Sequence, residues 1–141
     1  MPKKQIPEGL KDIKPTGPYS PVLQIGGHHH FSGILPDLGK DNRPTSPDIT
    51  QQTSQIMKKI KDLLEKCGLT FNDIFGATIM IKALDEESFD EALTRVNYVY
   101  ANALSLPMEE VEILPRRKAF GVSALPCHAL VEIEIDAVKQ D

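Results

Sequence analysis

Apolar and polar positions alternate without a fault near the C-terminus. Val131, Ile133, Ile135 and Ala137 fall on one side, Glu132, Glu134 and Asp136 on the other. A period of two marks a strand with one buried face. Just upstream, Arg117, Ala119 and Gly121 alternate with Phe120 and Val122 after Pro115, which predicts a second strand, joined to the first through Leu125-Pro126-Cys127-His128. Further back the period lengthens. Ile56, Met57, Ile60, Leu63, Leu64 and Cys67 recur at helical spacing opposite Lys58, Lys59, Lys61 and Glu65, so residues 48–67 are predicted to form an amphipathic helix. Ser46 or Asp48 can cap its start, and Gly68 sits where a helix-ending glycine belongs. Phe89, Leu93, Val96, Tyr100 and Leu104 make the inner stripe of a second helix over 86–104, with Asp85 as its cap. Between the helices, Ile74-Phe75-Gly76-Ala77-Thr78-Ile79-Met80-Ile81 is almost wholly apolar, the pattern of a strand buried on both faces.

The first half of the chain is richer in breakers. Pro2, Pro7 and Pro15 predict an extended arm over 1–14 with one short edge strand. Gly17-Pro18-Tyr19-Ser20-Pro21 reads as a turn, followed by two short strands, 22–25 and 28–32, hinged at Gly26-Gly27. Residues 33–47, with Pro36, Gly39, Pro44 and Pro47, read as loop, as do residues 106–114. The order is β-β-β-α-β-α-β-β, without repeat or linker. Two helices on one face of a single mixed sheet, an α+β fold, is the simplest way to bury these stripes.

Composition narrows the class without changing this picture. A chain of 141 residues with 40% apolar content suits one domain, 1–141, which buries about 68% of its unfolded surface. A net charge of −4 argues against a dedicated nucleic-acid binder. No apolar run reaches the ~18 residues of a membrane span, and the N-terminus has no apolar signal region, so a cytoplasmic protein is expected, with an organellar destination left open. Cys67 and Cys127 form neither a CxxC pair nor a disulfide framework.

Candidate chemistry centres on Arg117. A guanidinium beside the small residues Ala119 and Gly121 has room for a planar anion, and a carboxylate is its natural bidentate partner; the plainer alternative is a surface arginine at a strand start. Arg116 points to the opposite face and reads as surface charge. Glu132, Glu134 and Asp136 read as a solvated sheet face, since three like charges in a row cost energy unless solvated or paired. Tyr19, held between prolines, either overlooks a pocket or packs in the core. Ser32 can be a simple strand end, and Asn97, in line with Leu93 and Ala101, can be an amide satisfied by a loop carbonyl. In the run His28-His29-His30 at most two rings share a strand face, and no HxxxH, HExxH or Cys/His cluster supplies further ligands, so no metal site is read. Cys127-His128 are neighbours that point apart and make no catalytic dyad.

Four blocks, in order, resemble the RidA (YjgF) family of enamine/imine deaminases: Gly17-Pro18-Tyr19-Ser20, Phe31-Ser32-Gly33-Ile34-x-Pro36, Val96-Asn97-x-x-Tyr100, and Pro115-x-Arg117 followed by Leu125-Pro126 and Leu130-Val131-Glu132-Ile133-Glu134. The resemblance runs from about Pro15 to Val138. It implies a fold similar to bacterial chorismate mutase, a homotrimer with sites between subunits, and cofactor-free hydrolysis of 2-imino acids such as that formed from 2-aminoacrylate. It also implies roles: Arg117 holding the substrate carboxylate, the Ala119 carbonyl holding the nitrogen, Glu132 orienting water, and Tyr19, Ser32, Gly33 and Asn97 lining the pocket. Where the family usually has a cysteine two residues after the arginine, this chain has Ala119. The residue before Leu125 is Ala124 rather than arginine, and the loop with Glu109, Glu110 and Glu112 is longer and more acidic than usual. The same fold occurs in translation inhibitors, ribonucleases and chaperone-like binders, the rival class; retention of Arg117 favours the enzyme.

Overall fold

The computed structural model describes residues 2–105 and 113–141; the acidic stretch carrying Glu109, Glu110 and Glu112 lies outside them. The elements follow the expected order: β1 (Lys4–Gln5), β2 (Val22–Ile25), β3 (His28–Phe31), α1 (Ile49–Lys66), β4 (Ile74–Lys82), α2 (Glu86–Ser105), β5 (Arg116–Val122) and β6 (Val131–Val138). The strands make one sheet in the order β1-β2-β3-β6-β4-β5. All neighbours are antiparallel except β4 and β5, which run parallel with α2 as their crossover. No helix among the described residues is long and apolar enough to cross a membrane.

Local signals explain the boundaries. The Asp48 carboxylate accepts the Thr50 N–H at the start of α1, and Gly68 takes the left-handed conformation that ends it. Asp85 accepts the Ser88 N–H at 2.8 Å at the head of α2. In the β2–β3 hairpin Gly26 adopts a positive φ of 58°, which glycine does without a Cβ penalty. The core joins Ile56, Met57, Ile60 and Leu64 of α1 and Val96, Tyr100 and Leu104 of α2 to Ala77, Ile79 and Ile81 of β4 and the buried row of β6. Each fully buried aliphatic chain contributes about 1.5–3 kcal/mol.

Two expectations need correction. The N-terminal arm is not simply extended: residues Glu8–Leu10 form a helical turn that drops Leu10 into the core, nearly without exposure. β4 is not buried on both faces either. Its Ala77, Ile79 and Ile81 meet the helices, but Phe75 is exposed and Thr78 and Met80 are only half-buried on the other side. The physical reason is that both helices lie on one side of the sheet, and the described residues supply no second layer to cover the other.

Candidate functional site

Strand register decides which side chains can meet. Ile79 pairs with Ala119 on one flank and with Ile133 on the other, so these three residues share the helix side of the sheet. Arg117 stands two residues from Ala119 and shares that side. Glu132 stands one residue from Ile133 and therefore points to the open side. The predicted site residues accordingly fall into two groups on opposite faces.

The first group surrounds Arg117, at the free edge of the sheet. Its Nη1 donates to Asn97 Oδ1 at 2.7 Å, and its Cζ lies 5.2 Å from the centroid of the Tyr100 ring. Asn97 thus serves the arginine rather than a loop carbonyl. Among the described residues no carboxylate pairs with Arg117. A cavity of about 360 Å³ opens beside it, lined by Asn97, Tyr100, Ala101, Ser105, Leu114 and Pro115. The notch expected along Ala119 and Gly121 is in part closed. A Cβ at Gly121 would stand 3.2 Å from Phe89 Cδ1, so the glycine accommodates packing there, and the open space lies toward Leu114 and Pro115 instead.

The second group lines a cavity of about 520 Å³ that includes Tyr19, Ser32, Gly33, Cys127, Glu132 and Glu134. Ile34 and Ile133 exchange backbone hydrogen bonds of 2.7 and 3.2 Å, which clamp the segment after β3 against β6. Gly33 consequently lies directly over Glu132, and a Cβ there would run into the Glu132 carboxylate. Burial pushes the Glu132 carboxyl above its ordinary value, and the Glu134 charge pushes it the same way. Ser32 Oγ donates to the Ser20 carbonyl at 2.6 Å, so the serine ties the 17–21 turn to the strand end. Tyr19 is exposed rather than packed in the core, its hydroxyl 3.2 Å from Thr16 Oγ1. Pro126 and Cys127 close one end, and Cys127 and the neighbouring His128 take positive φ.

The histidines divide as a strand dictates. His29 is buried on the helix side; burial holds it below its ordinary value, and its Nδ1 has no partner among the described residues. His28 and His30 stack on the open side, and His30 Nδ1 lies 2.8 Å from Asp136 Oδ1. Asp136 is thus engaged with a histidine, not merely solvated. No three His, Cys, Asp or Glu side chains among the described residues converge to hold a metal ion. Sequence reasoning missed Glu134 and Cys127 as pocket residues and Tyr100 as the neighbour of Arg117. The i, i+3 spacing of Asn97 and Tyr100 was the available signal for the last.

The chain is similar to known proteins along nearly its whole length. Residues 9–139 match the family model described as Endoribonuclease L-PSP. The chain is 33% identical over 127 residues to a RutC family protein of Pyrococcus horikoshii, covering 90% of this chain and 91% of that one. It is 27% identical over 132 residues to the chloroplastic Reactive Intermediate Deaminase A of Arabidopsis thaliana, covering 94% of this chain and 64% of the relative. Among solved structures, the Rid family protein YyfA of Yersinia pestis superposes with a TM-score of 0.78 at 32% identity, over 97% of this chain and 100% of that one. The YjgF gene product of E. coli gives 0.72 at 25% identity, over 89% and 91%.

Proposed function

The chain belongs to the Endoribonuclease L-PSP (YjgF/RidA) family, and on that premise we propose that it hydrolyses reactive 2-imino acids to 2-oxo acids and ammonia at sites completed by a second copy of itself. One observation carries the reading: Arg117 is held by a neutral amide beside an open cavity, its charge unmatched by any carboxylate of the described residues. Asn97 occupies one N–H of the fork, and no carboxylate of the described residues takes the others, which can then meet a substrate carboxylate.

Within one chain the reading is incomplete. Glu132, the base, lies across the sheet from Arg117, in a cavity whose charged lining is the carboxylates Glu132 and Glu134. A cationic half-site and an anionic half-site on opposite faces are complementary between copies, as electrostatic matching across an interface requires. We infer a homotrimer, the arrangement that the family resemblance implies, with Arg117, Asn97 and Ala119 of one copy facing Tyr19, Ser32, Gly33 and Glu132 of the next.

In this site Arg117 fixes the substrate carboxylate and so the imine carbon. Glu132 takes a proton from water as the water oxygen adds to the C=N carbon, and returns that proton to the nitrogen. It then carries the hydroxyl proton of the resulting carbinolamine to the amine as the C–N bond breaks, which releases the 2-oxo acid and neutral ammonia and leaves the carboxylate as it began. A carboxyl raised above its ordinary value is better matched to this proton transfer near neutral pH. The Ala119 carbonyl would hold the nitrogen through the backbone, a role that survives replacement of the usual cysteine.

A nucleic-acid reading gains no support. Lys59 turns to the Leu35 carbonyl and Asp37, away from the groove lined by Lys58 and Lys61, so the three lysines build no common basic face. The deciding test couples a 2-aminoacrylate generator to the purified protein and follows pyruvate release. Acceleration that is lost in Arg117→Lys supports the reading; no acceleration over the spontaneous reaction overturns it.

A further inference from the structure

We propose that Tyr100 is a positioning residue for Arg117, its ring holding the guanidinium where the fork can meet a carboxylate. This rests on the reading of Arg117 as the carboxylate clamp and deepens it by adding a residue to which that reading assigns no role. An exposed arginine on an edge strand samples many rotamers, and a bound anion must fix them at the expense of affinity. Here α2 removes that freedom beforehand. Asn97 and Tyr100, one helical turn apart, present an amide and a ring to the same guanidinium. The hydrogen bond of 2.7 Å restrains one nitrogen, and the ring, 5.2 Å from Cζ, attracts the cation through its π-face.

Tyr100 is a firm platform because it belongs to the core, with 8% of its surface exposed, and it also lines the cavity beside Arg117. Its hydroxyl is buried and has no hydrogen-bond partner among the described residues. What the residue offers the arginine is therefore the ring, not the hydroxyl. A core tyrosine without this role would answer only to changes of shape; a platform must also answer to the electron density of its ring.

The experiment uses that difference. Tyr100→Phe keeps the ring and serves as the reference. Phenylalanines carrying one, two and three ring fluorines at position 100 then withdraw electron density at nearly constant shape, which keeps the core filled. KM for the imine is expected to rise stepwise, about two- to fivefold by the third fluorine, with kcat and Tm unchanged. Pyruvate binding, followed through the Nε–H signal of Arg117 by NMR, is expected to weaken in the same order. A flat series, with pyruvate bound equally by all variants, overturns the positioning role and leaves the clamp standing. Absence of pyruvate binding at Arg117 in the unmodified protein overturns both.

Discussion

On the helix side of the sheet Ile79, Ile81 and Ile133 are 0% exposed and Ile135 1%, whereas on the open side Phe75, Phe120 and Ile25 keep 36%, 43% and 41% of their surface. Strands of one sheet carry both rows. The helix side is finished by α1 and α2 and gains its stability within one chain. The open side alternates exposed apolar groups with His28, His30, Arg116, Lys118 and the carboxylates of β6, and no further layer covers it among the described residues. The difference shows where a single chain is sufficient. Its core is complete, but the candidate chemistry is split, with Arg117 at the edge of one side and Glu132 on the other.

The sharpest way to break this comparison acts on Glu132. Glu132→Gln removes the proposed base, and kcat is expected to fall by about 10²-fold or more while the fold persists, measured with the coupled imine assay and circular dichroism. On the helix side the opposite is expected. Ile133→Ala, one residue away but fully buried, should destabilise the chain by about 2–5 kcal/mol in denaturant titrations. Arg117→Lys keeps the charge but not the planar fork, and its kcat/KM should fall more than about tenfold, or ~1.4 kcal/mol, with Tm unchanged. The smallest effect concerns pH. The raised Glu132 value means that the fold favours the protonated carboxyl. Its penalty is therefore absent below the unfolded value and grows as pH rises toward and through the folded one. Glu132→Gln should accordingly raise Tm at pH 7 by on the order of 1 °C, with the gain vanishing near pH 4. For the same reason the proposed imine hydrolysis by the unmodified protein should climb with pH through the raised value.

Local patterning made much of this legible. The alternation of β6 named its buried row, and the stripes of α1 and α2 named theirs, because burial on one face imposes the period directly. Leu10 was hidden among prolines and polar residues, where no period could form. Gln52 escaped notice as well: it is buried because its amide donates to the Ser46 carbonyl and accepts the Leu130 N–H, the latter a contact between residues 78 apart in the chain. For the site, motif blocks named Tyr19, Ser32, Gly33, Asn97, Arg117 and Glu132, Ala119 entered by its place two residues after the arginine, where the family usually has cysteine, and residue chemistry gave the arginine its carboxylate preference. The division of these residues between two faces was not legible, since it depends on β4 pairing with both β5 and β6 in one register.

The central claim is that one site draws on two copies, and subunit mixing tests it most directly. Arg117→Ala and Glu132→Gln chains are prepared separately, each inactive, then mixed under conditions of subunit exchange and assayed for imine hydrolysis. A shared site places the intact Arg117 of one variant opposite the intact Glu132 of the other, so activity should return, in particles of about three times the 15.6 kDa chain mass by light scattering. Mixtures that demonstrably exchange yet stay inactive, or a fully active unmixed monomer, would contradict it.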